Sequence, residues 1–343
     1  MPPVLATKKR AGPLLIERIF NQHSTSVAIA LLKKDELKYE FYGGKQFASP
    51  RAHGGVTRTT RFNIGTASMC VTGALAVKLM EFGELRLSDH VRKFVPEFRN
   101  DDVTVYHLMT HTSGLRPAAL AAPGNHSERQ ALFSRLYGDS RLTYATGAEC
   151  QVAPAGYAAL SDIIERVCGQ PVEDLASTLL FMPLGMKRTT YGNAGLAAEQ
   201  YVTPWSHAEN RYLTELGGKL PIGHTGVYTT ALDLIRFGSM LLNAGEFEGQ
   251  QVFLESSVHF MLKEITGGQF MRTPVFMAKG DDDIYGCFSR LHSHRAVACT
   301  GDLGSMLFID PLRSAVGVAL TNSTWVGSAN RNFCSICDIL LAM

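Results

Sequence analysis

Long uninterrupted hydrophobic runs are missing from this sequence of 343 residues. No stretch reaches the roughly 18 consecutive apolar residues that a membrane-spanning helix requires. The first twelve residues carry Lys8, Lys9 and Arg10 but no apolar core like that of a signal peptide. We therefore expect a globular protein of the cytoplasm that has no membrane partner.

A surplus of charge of either sign is also lacking. Charged residues make up 19% of the chain, and the formal net charge is +2. Surfaces that bind nucleic acid or anionic membranes need clustered positive charge. The composition thus predicts no nucleic-acid partner, whereas the 45% of hydrophobic residues is enough to bury a substantial core.

The seven cysteines lack the even number and the spacing of a disulfide framework. Cys334 and Cys337 form the one C-x-x-C motif, and no second pair accompanies them, so we interpret them as thiols on a terminal helix. His292 and His294 form an H-x-H motif without a visible third ligand. We expect no metal and no cofactor.

Patterns of strands stand at both ends of the sequence, with helices between them. Alternating apolar residues over 26–32 and 37–42 predict a β-hairpin, and apolar residues at helical spacing predict a buried helix over 66–82. We predict further helices over 14–20, 103–110, 155–168, 172–180 and 231–244, and strands over 296–300, 305–309 and 315–321.

This order predicts an α/β fold in one unit over residues 1–343. The two ends should pair in one sheet, giving a sheet lobe over 1–65 and 245–343. The middle, 66–244, should form a helical lobe, with a cleft between the two lobes. No internal repeat or long linker divides the chain.

Several short phrases follow one another in an order that is informative as a whole. They resemble the class C β-lactamase, D-aminopeptidase and esterase branch of the serine β-lactamase and penicillin-binding-protein family. The resemblance implies a β-lactamase-like fold, with an antiparallel sheet flanked by helices and a mostly helical lobe. The phrases are Phe62-Asn63-Ile64-Gly65-Thr66, Gly83-Glu84-Leu85, Val95-Pro96-Glu97-Phe98, His111-Thr112-Ser113-Gly114-Leu115, Gly156-Tyr157, Pro183-Leu184-Gly185-Met186, Asn243-Ala244-Gly245-Glu246, Tyr285-Gly286 and Thr300-Gly301-Asp302-Leu303-Gly304.

In that family a serine attacks a carbonyl, while a lysine one turn later and a tyrosine of the helical lobe move its proton. The resemblance places the serine at Thr66, the lysine at Met69 and the tyrosine at Val152. The cation of the strand motif becomes Cys299, although the Thr-Gly after it is kept. The resemblance implies a pocket lined by Thr66, Met69, Val152, Pro154, Cys299, Thr300, Gly301 and Asp302.

A thioether accepts no proton at neutral pH, so the resemblance implies a site without its general base. What would remain is an oxyanion hole made by the backbone N–H groups of Thr66 and Asp302. We therefore expect a pseudo-hydrolase that binds a small, mostly apolar ligand or a partner in the cleft. The alternative is a repurposed hydrolase, acyltransferase or biosynthetic enzyme that uses Cys299 or Thr66, or substrate positioning alone.

Other residues could have taken over the chemistry, and each has a plainer interpretation. Ser68 as a displaced nucleophile would point away from the cleft, and a thiolate at Cys299 would need a base. The remaining candidates, which we interpret as packing or loop residues, are Cys70, His111, Tyr144, Tyr157, His224, His292 and His294.

Overall fold

The computed structural model describes residues 26–44, 54–116, 123–139, 141–193, 195–214, 220–327 and 330–342. The helix predicted over 14–20 lies outside the described residues. Within them, no helix has the length and apolar character that crossing a membrane would need.

A six-stranded antiparallel sheet is built from both ends of the chain. Its strands are β1 (Ser26–Lys33), β2 (Glu36–Gly44), β11 (Met277–Ala278), β12 (Val297–Gly301), β13 (Ser305–Asp310) and β14 (Ala315–Thr321). The strand order is β11-β12-β13-β14-β1-β2, and Ala30 of β1 lies opposite Val318 of β14. The predicted pairing of the two ends is thus confirmed, as is the hairpin.

Helices cover both faces of the sheet, and this explains why β1 is apolar at nearly every position. Ala28 and Ala30 of β1 belong to one buried cluster, whereas Val27 and Ile29 belong to a second. The first cluster includes residues of a helix at Ala231–Leu242, and the second includes residues of the terminal helix. Alternate side chains of one strand therefore serve two separate cores.

The helices of the described residues mostly follow the predicted ones. Three were not predicted, at 126–138, 255–262 and 324–327; the first has only three buried residues and so lacks a clear apolar stripe. The helices are α1 (Met69–Glu81), α2 (Val105–Met109), α3 (His126–Gly138), α4 (Pro154–Cys168), α5 (Val172–Ala176), α6 (Ala231–Leu242), α7 (Glu255–Leu262), α8 (Thr324–Gly327) and α9 (Asn330–Leu341).

The start of the central helix differs from the prediction. Residues Gly65–Ser68 form a 3₁₀ turn, and the α-helix proper begins at Met69. Such turns are frequent at helix starts because their tighter hydrogen bonds fit the entering chain. Thr66 therefore lies on a turn in front of α1, not on its first helical turn.

A second, small sheet supports this turn. Its strand order is β4-β8-β3-β5, with β4 at Thr190–Tyr191, β8 at Val227–Thr229, β3 at Arg61–Asn63 and β5 at Tyr201–Val202. Two hairpins complete the described strands, β6 (Trp205–Ser206) with β7 (Arg211–Tyr212) and β9 (Glu246–Phe247) with β10 (Gln250–Gln251). Strands of two or three residues are too short to show a period in the sequence.

Helix α6 packs directly on the main sheet. A Cβ atom added at Gly238 would lie 2.4 Å from Val316 Cγ1, so only glycine lets this helix approach β14 so closely. The predicted lobe boundaries at 65 and 244 stay a prediction, and α6 is in contact with the sheet although that division assigns it to the helical lobe.

The substitution Gly238→Ala should lower the free energy of unfolding by about 1–3 kcal/mol, because the overpacking cost exceeds the gain in helix propensity. Gly138→Ala is a matched control, since a Cβ there meets nothing within 4 Å. Urea denaturation of both variants measures the effect. A Gly238→Ala variant as stable as the wild type would contradict this packing.

Candidate active site

The candidate site forms where two turns meet. Thr66 lies in the turn after β3, and Asp302 lies in the turn between β12 and β13. A Cβ at Gly301 would be 2.2 Å from the carbonyl oxygen of Ile64, so the two turns touch through their backbones. Only glycine at position 301 leaves room for this contact.

Thr66 and Asp302 hold each other by two reciprocal hydrogen bonds. The backbone N–H of Thr66 donates to Oδ1 of Asp302 at 2.9 Å. The backbone N–H of Asp302 donates to Oγ1 of Thr66 at 3.1 Å. These are the two N–H groups that the family resemblance assigns to the oxyanion hole, and in this structure each of them already has an acceptor.

The carboxylate of Asp302 reaches this position because Gly65 leaves room for it. Gly65 has a φ of +55°, and a Cβ atom there would lie 2.2 Å from Oδ1 of Asp302. Any other residue at position 65 would therefore push the carboxylate away, besides straining the backbone.

The remaining pocket positions differ in how far they are exposed. Met69 and Cys299 are buried, whereas the side chain of Val152 is 49% exposed. Thr66, Pro154 and Thr300 are half-buried. Among the residues that the structure describes, no lysine, tyrosine or histidine forms a hydrogen bond with the Thr66 hydroxyl.

Ser68 is not a displaced nucleophile in this structure. It is fully buried, and its hydroxyl accepts a hydrogen bond from the backbone N–H of Val227 at 3.1 Å. The hydroxyl thus ties the central turn to β8, in agreement with the interpretation that this side chain faces away from the cleft.

The two neighbouring tyrosines have structural partners. Tyr144 donates to the carbonyl of His111 at 3.0 Å and accepts from the N–H of Gln151 at 3.1 Å. The Tyr157 hydroxyl donates to the carbonyl of Met109 at 3.3 Å, and burial raises the pKa of this phenol. Neither is placed to act as a general base.

His111 is a buried, neutral packing residue. Its Nδ1 accepts the N–H of Ala153 at 3.4 Å, and its ring lies 5.0 Å from that of Tyr157. Burial lowers the pKa of His111 well below its usual value, and the charge of Arg272 lowers it further. His224 is buried as well, with Nδ1 3.2 Å from the carbonyl of Ile222.

The thiol of Cys299 is held in its protonated form. A hydrogen bond with Cys70 raises the pKa of Cys299 well above its usual value, and burial raises it further. Reactive cysteines need the opposite environment, one that lowers the pKa. Cys334, on the terminal helix as predicted, donates to the carbonyl of Phe288 at 3.1 Å.

The H-x-H motif does not converge on one point. His292 is buried and its Nδ1 accepts from the N–H of Ser289 at 3.0 Å, whereas His294 is exposed. No group of three or more metal-ligating side chains occurs within the described part of the chain.

Two surface cavities lie away from the candidate site. One of about 310 Å³ is lined by residues of α3 and α4, among them Arg129, Tyr137 and Asp162. The other, of about 200 Å³, lies beside β11 and contains His259 and His294. None of the eight expected pocket residues lines either cavity.

Comparisons with known proteins identify the family of the chain. The family model described as Beta-lactamase matches residues 14–331. The chain belongs to the beta-lactamase family. Among its relatives, penicillin-binding protein 4 of Amycolatopsis lactamdurans is 29% identical over 244 residues, covering 66% of this chain and 62% of that protein. The D-alanyl-D-alanine-carboxypeptidase/endopeptidase AmpH of Escherichia coli K12 is 27% identical over 206 residues, covering 54% and 50%.

A solved structure extends the likeness to the whole beta-lactamase-like fold. EstCE1, described as a hydrolase with promiscuous acyltransferase activity, superposes with a TM-score of 0.75 over 98% of each chain at 16% identity. Identity this low shows the fold alone. The matches to the curated relatives above span only about half to three fifths of those proteins, so their activities are not carried over.

The reciprocal Thr66–Asp302 pair is the feature of the site that sequence reasoning missed. The signal that could have found it is an acidic residue next to the Thr-Gly motif. In the fold, Asp302 faces the hydroxyl of Thr66 and the glycine before it, Gly65.

Single substitutions measure the two bonds. Thr66→Val removes the acceptor of the Asp302 N–H, and Asp302→Ala removes the acceptor of the Thr66 N–H, so each should lower the free energy of unfolding by about 0.5–1.5 kcal/mol. Asp101→Ala, at an exposed aspartate that pairs with Arg92, is the control and should change it less. Thr66→Val and Asp302→Ala variants that are both as stable as the wild type in urea denaturation would contradict the reciprocal bonds.

Proposed function

We propose that this chain is a pseudo-hydrolase, a beta-lactamase-fold protein without working Ser-Lys-Tyr machinery. It binds a small, mostly apolar ligand or a partner in the interlobe cleft. The observation that carries the proposal is the pair of reciprocal hydrogen bonds between Thr66 and Asp302.

The occupied N–H groups remove the strongest catalytic contribution that the fold could retain. Acyl transfer needs donors aimed at the oxygen on which negative charge develops, and loss of one such donor costs about 10²–10³ in rate. Here a carboxylate oxygen already takes up the N–H of Thr66. Its negative charge would also repel an oxyanion at the same place.

Proton transfer lacks a carrier as well. The Met69 thioether and the Val152 side chain cannot accept a proton from Thr66. The Thr66 hydroxyl oxygen is itself the acceptor of the Asp302 N–H, which draws electron density away from a would-be nucleophile. These side chains are therefore better suited to binding a ligand than to catalysing a reaction on it.

The alternative, an enzyme with repurposed chemistry, would depend on Cys299. Burial and contact with Cys70 favour the neutral thiol, which is a poor nucleophile. The acyltransferase activity in the description of EstCE1 belongs to that protein. A cytoplasmic location remains part of the proposal, supported by seven cysteines that are all free thiols.

The direct test exposes the purified protein to p-nitrophenyl acetate, a fluorophosphonate and iodoacetamide, and reads the intact mass. We expect no turnover above background and no stoichiometric fluorophosphonate adduct. Rapid stoichiometric labelling at Cys299 with loss of ester turnover would support the alternative instead.

Restoring the family's serine, lysine and tyrosine should show that Asp302 prevents ester turnover. The triple variant Thr66→Ser, Met69→Lys, Val152→Tyr should remain nearly silent towards p-nitrophenyl acetate, because Asp302 still occupies the N–H of residue 66. Adding Asp302→Ala should raise the rate by about a hundredfold or more.

The control for this series is the triple variant with Asp101→Ala, which removes a distant carboxylate and should gain nothing. A triple variant as active as the quadruple variant would contradict the proposal that the Asp302 carboxylate prevents turnover. Silence of both would show that removing the carboxylate is not sufficient for turnover.

A further inference from the structure

The cavity beside β11 brings together basic side chains from two elements of the fold. His259 and Lys263 come from the end of α7, and His294 and Arg295 come from the turn before β12. All four residues are exposed, and all four line the same cavity of about 200 Å³. Two cations and two imidazoles therefore meet around one small space.

These basic side chains have no partner in the protein. In the part of the chain that the structure describes, none of the four forms an ion pair or a side-chain hydrogen bond. One carboxylate, Glu264, lines the cavity as well, but its two oxygens accept from the N–H of Thr266 at 2.6 Å and of Gly268 at 3.0 Å. Asp281 and Asp282 follow in the sequence without lining the cavity. The lining thus keeps an excess of positive charge.

Gathering like charges from two elements costs free energy unless a counter-charge is present. The carbonyl groups at the end of α7 favour the two basic residues of the helix. They do not account for the two basic residues of the turn, which belong to another element. That turn is fixed by Asp310, whose carboxylate accepts from the N–H of Ser293 at 2.7 Å and from its hydroxyl at 2.5 Å. The fold therefore holds both pairs of basic groups at the cavity.

The rest of the lining is mostly apolar and includes Leu262, Met271 and Val297. Met271 has a φ of +49°, a conformation that residues other than glycine rarely adopt. Its terminal methyl group packs beside Gly280, where a Cβ atom would lie 2.1 Å from it. Backbone strain of this kind is concentrated at ligand sites. An apolar group of a ligand would contact these side chains.

This cavity is separate from the candidate active site. Val297 stands at the start of β12, three residues before Thr300, so about 10 Å of strand lies between the two. An occupant of the cavity would not touch the Thr66–Asp302 pair. The two sites can therefore be tested independently.

We propose that the cavity binds a small phosphate monoester, with the phosphate group at the four basic side chains and the organic part on the apolar ones. A phosphate group carries close to two negative charges at neutral pH and offers three acceptor oxygens, so it suits several donors from two elements. The cavity is smaller than the roughly 300–1,000 Å³ of common ligand pockets, which favours a small ester over a nucleotide. This inference does not depend on the proposed pseudo-hydrolase function.

The test measures the binding of phenyl phosphate by calorimetry at constant ionic strength. The proteins are the wild type, Lys263→Met, Arg295→Met and the double variant, and the comparison ligands are inorganic phosphate and phenol. Lys187→Met and Arg290→Met are matched controls, because both residues are exposed, line neither cavity, and lose the same charge. Thermal unfolding measures stability with and without phenyl phosphate.

Phenyl phosphate should bind the wild type more tightly than inorganic phosphate, and phenol should bind most weakly. Each single cavity variant should lose about fivefold in affinity for phenyl phosphate, and the double variant about tenfold or more. The two controls should stay within about twofold of the wild type. Without ligand, all variants should unfold near the wild-type temperature, since the substituted side chains are exposed. Phenyl phosphate should stabilise the wild type more than the double variant.

Several results would overturn the inference. They include no binding of phenyl phosphate to the wild type, and equal affinity of the wild type and the double variant. Equal losses in the controls would show attraction by net charge alone, and phenol that binds as tightly as phenyl phosphate would remove the phosphate from the account. Binding to vesicles that contain phosphatidic acid, without binding of phenyl phosphate, would reject a small ligand in favour of a membrane surface.

A double variant that is less stable than the wild type would leave its affinity ambiguous, and the histidines then decide. Replacing His259 and His294 together by glutamine removes both imidazoles and leaves Lys263 and Arg295 in place. This variant should bind phenyl phosphate several-fold more weakly than the wild type. Unchanged affinity in it would reject the site as proposed.

Discussion

The two hydrogen bonds between Thr66 and Asp302 are the contact on which the proposed function depends. They join the turn in front of the central helix to the turn after β12, across 236 positions of sequence. The close approach of Gly301 to Ile64 brings these turns together, and Gly65 makes room for the carboxylate. The two N–H groups that would form an oxyanion hole in a beta-lactamase-like hydrolase are therefore already bonded to side-chain oxygens of the protein.

The retained fold and the altered site have a common physical explanation. The core depends on the sheet between two helical layers and on close backbone contacts at glycines, and none of this requires a nucleophile or a base. Residues such as Met69 and Cys299 can therefore replace a lysine and a cation without loss of packing, and both are buried. The scaffold can accommodate such side chains at the cleft because its core lies elsewhere.

The sequence predicted the parts that depend on local pattern and on ordered motifs. The hairpin, the helices over Pro154–Cys168 and Ala231–Leu242, and the pairing of the chain ends all followed from periodicity and order. The helix at His126–Gly138 and the short strands around Thr66 carry too little periodicity to be recognised. The Asp302 contact arises only when residues distant in sequence meet, so a single sequence gives little sign of it.

Amide hydrogen exchange at Thr66, followed by NMR, tests the central claim most directly. If the Asp302 carboxylate accepts this N–H, the amide of Thr66 should exchange slowly in the wild type and at least tenfold faster in Asp302→Ala, while the amide of Val227 should be unchanged. Equal exchange at Thr66 in the two proteins would contradict the account, because the N–H would then be free to stabilise an oxyanion.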